Sequence, residues 1–128
     1  MPGRYEIELE PEVRAWLVSL PLEQYAKAEA MADLLAERAE ALGEPYARHL
    51  GGKARELRFH LGRRAVPVSY WLAPGRRIVL LTVFAKTRQH EHGEVARALA
   101  AQRACELGHA SGHPDHGPAR EIYERKWD

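Results

Sequence analysis

"RELRFHLGRRAVPVSYWLAPGRRIVLLTVF", residues 55–84, decides the fold. In its first seven residues Leu57, Phe59 and Leu61 share one side of an extended chain, while Glu56, Arg58 and His60 share the other. "GRR" at 62–64 makes a turn, and "AVPVSYWL" at 65–72 forms a second strand. In "APGR", 73–76, Pro74 and Gly75 suit the central positions of a type II turn. There proline presets the first φ and glycine supplies the positive second one. "RIVLLTVF", 77–84, is apolar on both parities and predicts a central strand covered on both faces. The three strands form a meander. Pro67 has no N–H to donate, so its strand is expected either to bulge or to pair only after that residue.

Upstream, "RYEIELE" (4–10) alternates strictly, with Tyr5, Ile7 and Leu9 on one face, and reads as a half-buried strand. Pro11 suits the first turn of a helix. Val13, Trp16, Leu17 and Leu20 then follow at the spacing of one helical face. Pro21 restarts the pattern, which Met31, Leu34, Leu35, Arg38 and Leu42 continue until Gly43. "GEPYARHLGGK" (43–53) reads as a Gly- and Pro-rich loop. Downstream, "EHGEVARALAAQRACEL" (91–107) reads as a helix. The expected order is β-α-α-β-β-β-α in the α+β class. An N-terminal strand and helical hairpin pack on a small, mainly antiparallel sheet, with a C-terminal helix. Residues 1–108 form the single domain, and 109–128 a His-rich C-terminal tail.

At 128 residues and 45% hydrophobic content the chain supports one modest core. The apolar run 78–84 is far too short to cross a bilayer, and "MPGRYEIELE" lacks the apolar core of a signal peptide. Cys105 is the single cysteine, which excludes an internal disulfide and suits a reducing compartment, so a cytoplasmic location is expected. Net charge is +1, yet it is unevenly spread. Residues 1–44 hold four basic and ten acidic residues, 53–88 hold nine and one, and 89–128 hold five and seven. A basic middle third suits a polyanionic partner.

On the strand reading, Arg58 and His60 project opposite Leu57 and Phe59, with Lys53 and Arg55 preceding or flanking them. Lys86 and Arg88 lie just past the central strand, and His90 and His92 follow at the start of the last helix. Pairing of adjacent strands would gather these groups around one face. Such a set contains what metal-independent phosphodiester cleavage needs. A base takes the proton of a ribose 2′-OH, cations stabilise the phosphorus oxygens, and an acid protonates the leaving 5′-oxygen.

The ordered set "LGGKARELRFHL…VSYWLAPGRRIVLLTVFAKTR", with the "EPEVRAWLVSL" helix and "LGEPYARHLGG" linker, resembles the RelE/ParE toxin superfamily in its HigB-like branch, over roughly residues 5–107. The resemblance implies a microbial-RNase-like fold with two N-terminal helices on a curved sheet. It also implies the toxin of a type II toxin–antitoxin pair, usually an endoribonuclease that cuts mRNA on the ribosome. The implied partner is a cognate antitoxin, often a helix-turn-helix protein, and no cofactor is implied. Within the superfamily, ParE-like members act on gyrase and some relatives are inert. Carried over, "ELR" gives Arg58 and "F-x-K" gives Lys86 with Arg88 nearby. Pro67 stands where an Arg commonly precedes the middle-strand Tyr. Tyr123 and the histidines remain open as counterparts of the C-terminal Tyr or His. The expected catalytic set is thus Arg58, Lys86, Arg88, His90 and His92, and the expected RNA contacts are Lys53, Arg55, His60 and Arg64.

Cys105, His109, His113 and His116 could supply four zinc ligands in number. Their spacing fits no common structural site, and no metal is expected.

Overall fold

The computed structural model describes residues 4–84, 91–110 and 117–118. Its elements are β1 (Glu6–Leu9), α1 (Pro11–Ser19), α2 (Leu22–Arg38), a 3-10 turn (Ala39–Ala41), β2 (Ala47–Gly51), β3 (Ala54–Leu61), β4 (Arg64–Ala73), β5 (Arg77–Val83), α3 (Glu91–Ala110) and β6 (Gly117–Pro118). Among the described residues the strands form one sheet in the order β2-β3-β4-β5-β1-β6. β2 to β5 are an antiparallel meander, and β1 lies parallel to β5, from Glu6 opposite Arg77 to Leu9 opposite Leu80. The α+β class is as expected, and the N-terminal strand lies within the sheet itself. Of the tail, 111–116 and 119–128 lie outside the described residues, while Gly117 and Pro118 pair antiparallel with β1.

The sheet divides two cores. Leu57, Phe59 and Leu61 of β3, with Val66, Val68 and Tyr70 of β4 and Ile78 and Leu80 of β5, pack under α1 and α2 against Val13, Leu17, Tyr25 and Leu35. The opposite face carries Trp71, Ala73, Val79 and Leu81, packed on Cys105 of α3. β5 is therefore buried on both sides, as its unbroken apolar run predicted. A bulge in β5 opposite the Ser69–Tyr70 step lets Leu81 join the α3-side cluster while its neighbour Thr82 bonds Ser69 on the same face.

Pro67 is accommodated by position. On its rung the Arg58 N–H turns away to the Tyr46 carbonyl (2.8 Å), so β3 asks no donor of Pro67. Towards β5 the Pro67 carbonyl accepts the Phe84 N–H (2.9 Å), where the described part of β5's ladder ends. β4 does not bulge at Pro67: it pairs with β3 from Arg64 onwards, and only towards β5 does its ladder begin after the proline, at Val68.

Two expectations need correction. The second helix stops at Arg38 rather than running to Gly43, because Ala39 leaves the helical region (φ 42°). A 3-10 turn follows, and its three-residue period carries Ala39 and Leu42 into the core together. Residues 47–51, read as loop, form the edge strand β2, from Ala47 opposite Leu57 to Gly51 opposite Ala54.

Candidate nucleic-acid interface

Alternation in β3 sends Glu56, Arg58 and His60 to the sheet face opposite the helical hairpin, as the sequence predicted. Arg58 and His60 are exposed, whereas Glu56 is completely buried. Burying an ionised carboxylate is costly unless cations and donors surround it. The cations come from both sides, and one of them donates a hydrogen bond. Arg48 lies opposite Glu56 in the β2–β3 register and gives its Nε–H to Glu56 Oε1 at 2.9 Å. Arg58 places its Nε 3.6 Å from the same oxygen. The two arginine side chains keep 40% and 47% of their surface, so both cations stand at the surface on a buried anion. Glu56 Oε2 is buried and has no hydrogen-bond partner among the described residues.

On the other side of Glu56, in register, lies Ser69. Its hydroxyl sits 2.5 Å from the Thr82 hydroxyl and accepts the Thr82 N–H at 3.1 Å, which closes this buried polar pair on itself. The face thus runs from β2 to β5 as Arg48, Glu56, Ser69 and Thr82, with Arg58 and His60 further along β3.

The ends of this face are pinned. Lys53, in the β2–β3 turn, forms an ion pair with Glu106 of α3, which also accepts from Gln102 at 3.2 Å. Hydrogen bonds from Lys53 and Gln102 hold the Glu106 carboxyl below the usual carboxylate range. At the far end Glu12 of α1 accepts the Val83 N–H (3.0 Å) and pairs with Arg97 of α3 (2.5 Å). Arg97 in turn donates to the Val83 carbonyl (3.0 Å) and to Glu94 (2.8 Å). The Glu12 hydrogen bond, the largest cause, drives the Arg97 pKa still further above its ordinary value. This clamp fixes β5 three residues before Lys86.

The expected site residues separate. Arg58 and His60 share the face, and Lys53 reaches its α3 side. Arg55 points into the other layer, where it donates to the Tyr70 hydroxyl (3.2 Å) and the Leu42 carbonyl (3.3 Å). Arg64 pairs with Leu61 beside the hairpin turn, on the parity of Val66 and Val68, and not with Arg58. Lys86, Arg88 and His90 lie outside the described residues; His92 falls within the first turn of α3, its side chain undescribed. Phe84, bonded to Pro67, brings the chain to the Arg58 rung just before that segment. His113 and His116 also lie outside the described residues, among which no group of three or more His, Cys, Asp or Glu could hold a metal. No helix of the described residues is long and apolar enough to cross a membrane.

Arg48 was not legible as a site residue. Its strand has no apolar alternation, and of its five residues only Ala47 is buried. β2 exists through backbone pairing with β3.

A family model described as "Phage derived protein Gp49-like (DUF891)" matches residues 15–104, from within α1 to within α3. No curated protein matches the chain.

Proposed function

The chain belongs to the Gp49-like family, a RelE-like toxin–antitoxin family, and on that premise we propose that it is a toxin acting as a metal-independent mRNA endoribonuclease. The family implies an antitoxin partner; the substrate and the reaction are our reading, and so is the HigB-like branch.

One observation carries it. Between two apolar cores, the α3 side of the sheet presents exposed Arg58 on a fully buried carboxylate, with His60 two residues along the same strand. The Arg58 contact is long and half exposed and adds little net stability, so a carboxylate buried beneath it argues for a cation held in place for use.

The chemistry follows from the side chains. A base removes the 2′-OH proton, the 2′-oxygen attacks the adjacent phosphorus, and a 2′,3′-cyclic phosphate forms as the 5′-oxygen leaves with a proton from an acid. Arg58 stabilises charge on the non-bridging oxygens, where fixed donors act most strongly. Lys86, Arg88, His90 and His92 are the proposed further members, contributing charge and proton transfer, with His60 on the RNA. Histidine suits both proton steps because its ordinary pKa lies near neutrality.

The test is inducible expression in a bacterial host, with growth curves and transcript 5′-end mapping, for wild type and for Arg58→Gln at matched soluble level. Growth arrest with new 5′ ends inside translated regions, lost in the variant, is expected. Arrest without new ends overturns the nuclease in favour of a gyrase-inhibiting toxin. No arrest at confirmed soluble expression leaves a non-catalytic interaction module.

A further inference from the structure

We propose that Arg48 and Arg58 together form a phosphodiester subsite in which the buried Glu56 is the post that fixes both guanidinium groups. The proposal rests on the endoribonuclease reading and adds to it a residue, a stoichiometry and a geometry.

Three observations lead to it. First, the two arginines arrive from different strands yet converge on one atom, Glu56 Oε1, each through Nε. A guanidinium has five N–H donors in a planar fork, and Nε accounts for one. The Nη groups of both residues have no protein partner among the described residues. Two forks thus meet at one carboxylate oxygen with their outer prongs uncommitted. Second, two cations and one anion leave the cluster at +1, which matches the single negative charge of a phosphodiester. Each of its two non-bridging oxygens can take donors from one arginine. Third, Glu56 is poorly explained as a purely structural ion. It is fully buried, with Oε2 lacking a hydrogen bond among the described residues. An apolar residue there would be cheaper for the fold. What the carboxylate contributes is order: it removes rotamer freedom from two long side chains before a ligand arrives.

The arrangement also explains where the second cation comes from. Across β4 the residue opposite Arg58 is Pro67, which brings no charge. The opposite neighbour, β2, supplies Arg48. The phosphate is therefore expected over the β2–β3 edge of the face, with the ribose directed towards His60 and the Phe84 rung.

The experiment is binding of a fluorescent 2′-O-methylated RNA octamer to the purified full chain, followed by anisotropy over a salt series. Without 2′-OH groups the probe binds uncleaved. Arg48→Gln and Arg58→Gln are each expected to weaken binding about 5- to 30-fold and to lower the slope of log K against log salt by about 0.7, the increment of one single-strand phosphate contact. Arg48→Lys keeps the charge but cannot hold Glu56 and present a fork at once. It should keep the wild-type slope and still bind about 3- to 10-fold more weakly. Arg14→Gln, on α1 in the other layer, is the charge control and should match wild type.

Wild-type affinity and slope for Arg48→Gln, with Arg58→Gln impaired, overturn the subsite and leave the nuclease reading intact. A lower melting temperature for Arg48→Gln with an unchanged slope assigns Arg48 a structural role only and also overturns it. If the wild-type chain does not bind the octamer at all, the RNA-directed function fails, and the subsite with it.

Discussion

Replacing Glu56 by Gln tests the centre of the site with almost no change of volume. Glu56 accepts a 2.9 Å bond from Arg48 and has the Arg58 Nε 3.6 Å away. A hydrogen bond to a charged group contributes about 1.5–3 kcal/mol. The longer, half-exposed Arg58 contact contributes about 0–1 kcal/mol. The glutamine carbonyl still accepts from Arg48 as a neutral acceptor, which recovers about 1 kcal/mol of the first figure. The expected loss is about 1–2 kcal/mol, a fall in melting temperature of about 4–8 °C for a chain of this size. Urea unfolding followed by tryptophan fluorescence reads it directly. In a double-mutant cycle with Arg48→Gln the two residues should couple by about 1 kcal/mol.

RNA affinity makes the sharper test, because two effects of Glu56→Gln oppose each other. Removing a negative charge attracts phosphate, by about 2.4 kcal/mol at about 7 Å and the effective dielectric of about 20 that suits a buried carboxylate. Freeing two arginine side chains costs about 0.5–1.5 kcal/mol each when they must be ordered on binding. The two effects nearly cancel, so the variant should bind the RNA octamer between about 10-fold more tightly and about 3-fold more weakly than wild type, although charge alone would tighten binding about 50-fold. A coupling energy below about 0.3 kcal/mol, indistinguishable from independent sites, refutes the reasoning. So does RNA binding by the variant that is tighter by about 50-fold, the gain expected of charge alone.

Two further outcomes follow from the frame around the site. Arg97→Met should cost about 1 kcal/mol in urea unfolding, since its pair with Glu12 is about two-fifths exposed on both sides and partly screened; the cost should shrink in 0.5 M salt, about five times the ordinary ionic strength of such assays, and a salt-independent cost would mean that packing, not charge, fixes Val83. Burial pushes the Tyr70 hydroxyl above the ordinary tyrosine value, with the Arg55 hydrogen bond opposing in part. A group whose folded pKa is raised stabilises fully below its unfolded value and loses that contribution as pH rises through the folded one. Urea midpoints should therefore hold to about pH 10 and then fall, less steeply in Tyr70→Phe; tyrosinate absorbance from all five tyrosines near pH 10 in the folded protein contradicts this.

The meander, the N-terminal strand and helical hairpin, and the doubly buried central strand were legible because each is written in side-chain burial. Alternation over 57–61 and an unbroken run over 78–83 report what touches each face. Arg55 and Arg64 were legible too: each lies two residues before a core side chain, Leu57 and Val66, and the same alternation places them on the helical-hairpin side. Charge alone groups them with Arg58; parity separates them from it. The end of α2 was harder, because Leu42 continues the apolar pattern through a 3-10 turn that the helical spacing does not distinguish.

The sequence by itself determined which strand faces are apolar, where the turns fall and that the middle third is basic, since these depend on residue type and spacing along the chain. Only the tertiary structure decided that 47–51 is a strand, that β1 lies parallel beside β5, and that Arg48 meets Arg58 on Glu56. Those facts depend on backbone hydrogen bonds and inter-strand register. An edge strand with one buried residue leaves almost no apolar trace, and register alone brings position 48 opposite position 56.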